Sequence, residues 1–128
     1  MDSLFRYLPS KKFESILKEY RSLYISPNIL KQQVNRYLER IEAEISHNEF
    51  INLPLAKRIV EVSLDLLNVY DQHSKEEQEF IHSAIHYFLN ANDDEEDLYS
   101  PLGFDDDAEI INECLRLLNK ENLTIDIR

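Results

Sequence analysis

Ser74 Lys75 Glu76 Glu77 Gln78 Glu79 Phe80 Ile81 His82 Ser83 Ala84 Ile85 His86 Tyr87 Phe88 decides how the chain is read. A serine followed three residues later by a glutamate is the capping-box spacing, in which the hydroxyl takes the glutamate N–H and the carboxylate reaches back to the serine N–H. Phe80, Ile81, Ala84, Ile85 and Phe88 then recur at helical spacing and form one apolar face. The stretch predicts a helix, fourth in chain order.

The same logic extends in both directions. Upstream, a third helix is expected from about Asn52–Pro54 to Tyr70; its apolar residues Ile59, Val60, Val62, Leu64, Leu66, Leu67, Val69 and Tyr70 surround most of the circumference, which predicts the central helix. Ser26 before Pro27 is a start signal, because serine accepts an orphan N–H and proline suits the first helical position. The second helix carries Leu30, Val34, Tyr37, Leu38, Ile41 and Ile45 on one face and is expected to end near His47 and Asn48. A first helix is expected from about Lys11 to Tyr24, with Ser10 as N-cap and Phe13, Ile16, Leu17, Tyr20, Leu23 and Tyr24 as its stripe. Downstream, Asp106 with Glu109 is a cap-like pair opening a fifth helix with Ala108, Ile111, Cys114, Leu115 and Leu118 inward. The alternation from Leu123 to Ile127 predicts an extended tail on the surface. One glycine and four prolines leave little turn material for an all-β fold. The expectation is an all-α, compact bundle of about five helices, residues 1–128 as a single domain, with an acidic loop between helices four and five.

The 128 residues suit one core. Cys114 is the sole cysteine, which excludes an intramolecular disulfide and points to a reducing, cytoplasmic setting. Met1 to Leu8 lacks the features of a signal peptide, and no apolar run approaches membrane-spanning length, so neither secretion nor a membrane span is expected. The net charge of −11 is divided unevenly. Residues 1–40 hold eight basic and four acidic residues, net +4, which leaves −15 for residues 41–128. Such a split suits either attraction between the halves, within the chain or in a homo-oligomer, or a basic protein partner; direct nucleic-acid binding is not expected.

The acid is concentrated. Asp93, Asp94, Glu95, Glu96, Asp97, Asp105, Asp106 and Asp107 fall in a stretch without Lys or Arg that also holds Tyr99 and the only glycine, Gly103. Like charges so placed must be separated, solvated or neutralised by a cation or basic partner. Gly103 is expected to supply a turn with positive φ. No phosphate loop, dinucleotide fingerprint or nucleophile elbow is present, and nucleotide-dependent catalysis is not expected. His82 and His86 stand four apart with Glu79 nearby, a spacing that lets two imidazoles reach one metal, but no third ligand is given locally. Cys114 reads as core.

Tyr87 Phe88 Leu89, Asp93, Asp97, Leu102 Gly103 Phe104 and Asp106 Asp107 Ala108 Glu109 Ile110 resemble the signature of the YkvA-like domain of unknown function. The motif occupies about 85–110 within a YkvA-like part of about 54–120, on which helices within 11–47 would pack. The chain departs from the pattern at Ala91 and Glu96, where the family has proline, and at Asp94 and Glu95, where it has apolar residues. Acids there are penalised at an apolar or anionic surface, so membrane association is not expected. The resemblance implies no reaction.

Asp93, Asp97, Asp106 and Asp107, if brought together across Gly103, would suit a hard cation such as Mg²⁺ or Ca²⁺, with hydrolytic activity as an alternative function. Caps and Asx turns account for the same aspartates without a metal, so no cofactor is expected. The leading functional expectation is a non-enzymatic interaction module using Asp94, Glu95, Glu96 and Tyr99, with an acidic nucleic-acid mimic as a further alternative.

Overall fold

Side-chain caps decide where the helices begin. The computed structural model describes residues 8–47, 51–90 and 104–127. Among these, five α-helices form: α1 Lys11–Tyr20, α2 Pro27–Glu44, α3 Leu53–Asn68, α4 Lys75–Asn90 and α5 Asp105–Leu117. Ser10 Oγ accepts the Phe13 N–H at 3.1 Å, Ser26 Oγ the Ile29 N–H at 3.4 Å and Asn52 Oδ1 the Leu55 N–H at 3.2 Å. Each bond satisfies an orphan donor of a first turn. The expected capping box forms: Glu77 N–H donates to Ser74 Oγ at 3.2 Å, and Ser74 N–H to Glu77 Oε1 at 3.0 Å. The Ser74 N–H bond holds the Glu77 carboxyl below its ordinary value, with help from His73.

The fold class is as expected, but four details differ. First, α1 stops at Tyr20 rather than Tyr24: Leu23 N–H turns back to the Tyr20 carbonyl at 3.0 Å, and Ile25 N–H leaves the helical pattern for a side chain of α4. Leu23 and Tyr24, expected on the buried stripe, are 52% and 63% exposed.

Second, α4 rather than α3 is central. It packs against all four other helices, whereas α3 lies mainly on α2, α4 and α5. Aromatic contacts show how: Phe80 meets Phe13 of α1 at 5.9 Å between ring centroids, and Phe88 meets both Tyr37 of α2 at 5.1 Å and Phe104, just before α5, at 6.3 Å. All five expected core residues of α4 are buried, and so are His82 and Ser83 beside them. Counting apolar residues therefore underestimates how much of this helix is covered.

Third, Asp106 is not a cap. Phe104 occupies that position without a side-chain bond, and Asp105, Asp106 and Asp107 fill the first turn. Their charge there complements the helix dipole. Asp107 is itself buried, as are Ala108, Ile111, Cys114, Leu115 and Leu118. Burial pushes the Cys114 thiol well above its ordinary value, consistent with a core thiol.

Fourth, the tail does not lie wholly on the surface. Asn112 of α5 clasps Ile125 from both sides, Oδ1 accepting its N–H at 2.6 Å and Nδ2 donating to its carbonyl at 2.9 Å, and the Ile125 side chain enters the core. The chain reaches that clasp through a left-handed residue, Asn119, with φ 61°. Lys120 N–H bonds the Leu115 carbonyl at 2.8 Å and Asn119 N–H the Arg116 carbonyl at 3.1 Å. The two bonds together form a Schellman motif.

Candidate functional site

The early end of α1 brings polar groups together on α4. The freed segment brings Ile25 onto α4, where its N–H donates to His82 Nε2 at 3.0 Å. That bond fixes His82 as the neutral tautomer with the proton on Nδ1. Burial, and then the neighbouring His86, lower the His82 pKa to about 4. Tyr24 stacks on His82 at 5.4 Å, His86 meets His82 edge-on at 5.4 Å, and Tyr20 packs on His86 at 4.3 Å. Two tyrosines and two imidazoles thus form a row joining α1, the α1–α2 connection and α4. Burial lowers His86 below its ordinary value against the pull of Glu19, and its Nδ1 has no hydrogen-bond partner among the described residues. Beyond Tyr24 lies Tyr70, whose hydroxyl is pushed up to about 12 by burial and by its hydrogen bond and charge contact with Tyr24.

Along the row opens a cleft of about 350 Å³. Gln33, Arg36, Tyr37 and Arg40 line it from α2, spaced three, four and seven residues apart and therefore on one helix face. His86, Leu89 and Asn90 line it from α4 by the same spacing, and Ile25 closes an end. Asn90 is held in place by donating from Nδ2 to the Tyr20 hydroxyl at 2.9 Å. Arg36 makes no ion pair among the described residues, and Arg36 and Arg40 are both exposed at their own surfaces. Two guanidiniums on successive turns, beside two side-chain amides, make this a donor-rich cavity in a protein of net charge −11.

The expected sites fare differently. Asp93, Asp94, Glu95, Glu96, Asp97, Tyr99 and Gly103 lie outside the described residues. Asp106 and Asp107 sit in the first turn of α5 as neighbours in sequence, and among the described residues no group of three or more His, Cys, Asp or Glu could hold a metal ion. The His82–His86 pair is occupied structurally: one ring takes a backbone N–H, and Glu79 faces Arg21 at 3.6 Å instead of the imidazoles. Among the described residues no helix is long and apolar enough to cross a membrane. Sequence reading missed the cleft, since Arg36 and Arg40 belong to no motif. Their four-residue spacing on the polar side of an amphipathic helix was the available signal.

Compared with family models, with curated proteins and with solved structures, the chain finds no match, so the YkvA-like resemblance rests on its motif residues alone.

Proposed function

We propose that the protein is a non-enzymatic helical interaction module whose acidic stretch meets a basic protein surface. The observation that carries this reading is the contact of Phe88 with Phe104, described residues on either side of the stretch. It ties both flanks to one place on the bundle, and between and beside them Asp93 to Asp97 and Asp105 to Asp107 concentrate negative charge in sequence. Charge of one sign raises encounter rates with an oppositely charged partner and sets its orientation. The groups that could do chemistry elsewhere have structural employment, His82 in a backbone bond and Cys114 in the core. The YkvA-like assignment belongs to the same proposal and adds motif positions to it.

Titration with a fluorescent Lys/Arg-rich peptide tests the reading. The protein should bind with an affinity that falls steeply with salt, because exposed charges are screened beyond about 8–10 Å at physiological ionic strength. The triple variant Asp94→Asn/Glu95→Gln/Glu96→Gln should weaken binding by about tenfold or more, equivalent to about 1.4 kcal/mol. Removing three exposed charges elsewhere, Glu14→Gln/Glu39→Gln/Glu42→Gln, should leave it nearly unchanged. Equal losses in the two triple variants would reduce the effect to bulk charge and overturn the proposal.

A further inference from the structure

We infer that the cleft between α2 and α4 is a binding site for a small oxyanion, a carboxylate or phosphate group carried on a compact apolar body. The inference is independent of the acidic stretch and rests on what lines the cavity. Its size is about 350 Å³. That lies at the lower end of the range for small-molecule sites. Its donors are matched to oxygen anions: a guanidinium offers a planar fork that bonds carboxylate or phosphate in a bidentate manner, and Arg36 and Arg40 present two of them one turn apart. Gln33 and Asn90 add amide donors from opposite walls, Asn90 already oriented by Tyr20. The remaining surface is suited to an apolar or aromatic body. Ile25 and Leu89 supply partly buried apolar wall, and burial lowers the pKa of His86, which packs on Tyr20.

Charge argues in the same direction. An acidic protein has abundant carboxylates with which to neutralise surface arginines, yet Arg36 has no such partner among the described residues. Its guanidinium, together with that of Arg40, lines a concave surface whose other lining residues, among the described ones, are uncharged polar and apolar. A bound oxyanion would supply negative charge to Arg36 through a charge-assisted hydrogen bond, which is stronger than one between neutral groups.

Three probes separate the sources of the oxyanion: inorganic phosphate, phenyl phosphate and benzoate, each titrated at pH 7.5 and constant ionic strength while amide chemical shifts are followed. At least one aromatic probe should bind saturably with a Kd on the order of 1 mM or tighter, shifting residues 33–40 and 86–90. Phenyl phosphate stronger than benzoate assigns a phosphate ligand, the reverse a carboxylate. Arg36→Gln/Arg40→Gln should weaken that binding by about tenfold or more, whereas Arg58→Gln, an exposed arginine paired with Glu61, should not. Because both cleft arginines are exposed, the double variant should retain the parent spectrum away from the cleft, and that spectrum serves as the folding control. Absence of saturable binding by all three probes, or binding equally lost in Arg58→Gln, would overturn the inference.

Discussion

Two irregular segments are fastened to buried helix side chains, and they are fastened differently. At the tail, Asn112 holds Ile125 by both its N–H and its carbonyl. At the α1–α2 corner, His82 takes only the N–H of Ile25, and Tyr24 of the same segment covers its ring. Each device satisfies backbone groups that no helix satisfies. The amide cannot change charge in the working pH range, whereas the imidazole can. The tail clasp is therefore a permanent fixture, while the corner is conditional on a neutral His82. The conditional fastening adjoins the cleft, sharing Ile25 and His86 with it.

The sharpest way to break this contrast is to remove the amide. Asn112→Ala leaves both polar groups of Ile125 unpaired in a buried place, at a cost of about 1–3 kcal/mol each, so a total loss of about 3 kcal/mol is expected. Urea unfolding should give the same loss at pH 7.5 and at pH 5. A pH-dependent loss, or one under about 1 kcal/mol, would mean that the apolar burial of Ile125 fixes the tail and the clasp only follows.

The corner should show the opposite behaviour. His82 has a folded pKa of about 4 against an ordinary value of 6.5, so between these values the unfolded chain binds the proton more readily. Stability from this group is fully present above pH 6.5 and is lost as pH falls toward 4. At about 1.4 kcal/mol per pKa unit, the loss between pH 7 and pH 4.5 should reach about 2 kcal/mol. His86, also lowered, adds in the same direction. The His82→Gln variant keeps an acceptor for Ile25 without a titrating group, and its stability should be flatter than that of the parent across this window. Parallel curves for the two proteins would remove His82 as the cause.

What could be read in the sequence follows from the range of the interactions. Ser10, Ser26, Asn52 and the Ser74–Glu77 box are local: acceptor and donor lie three residues apart, so the residues themselves announce the structure. The end of α1 was not legible, because Leu23 and Tyr24 continue the stripe of Phe13 and Tyr20, and the competing partner of Ile25 lies on α4. The burial of Ile125 depends on an asparagine thirteen residues away that could equally have faced solvent. Asp106 lies two positions past the cap it resembles in sequence, since three consecutive aspartates suit both a cap and a first turn. The cleft was invisible for a reason related to that of α1: its donors come from two helices whose approach is set by core packing. Of the four aspartates of the expected cation site, the structure describes Asp106 and Asp107.

The exposed capping box sharpens the contrast at lower energy. It resembles the tail clasp in being reciprocal but sits in water, where unpaired groups find other partners. Ser74→Ala should cost about 1 kcal/mol, less than Asn112→Ala although both remove a polar side chain bonded to the main chain. Comparison of thermal melts at pH 7.5 measures the difference. A Ser74→Ala cost equal to that of Asn112→Ala would show that burial is not what separates the two fastenings.

A similarly small effect is expected at Asn119, and it tests how the tail clasp is reached. Asn119 is left-handed, with φ 61°. That conformation crowds a Cβ, a cost of about 1–2 kcal/mol that asparagine partly offsets and glycine avoids. Asn119→Ala should therefore destabilise by about 1 kcal/mol, while Asn119→Gly should change stability by only about a few tenths of a kcal/mol. The turn bonds of Asn119 and Lys120 to α5 direct the chain toward Asn112, so turn and clasp share one segment. Residues that act on one segment are not additive. In Asn112→Ala/Asn119→Ala, the loss should fall short of the sum of the single losses, because a tail already released from Asn112 has less to lose from a strained turn. Strict additivity in urea unfolding would instead make the Schellman turn an independent stop for α5, with Asn112 alone holding the tail to the core.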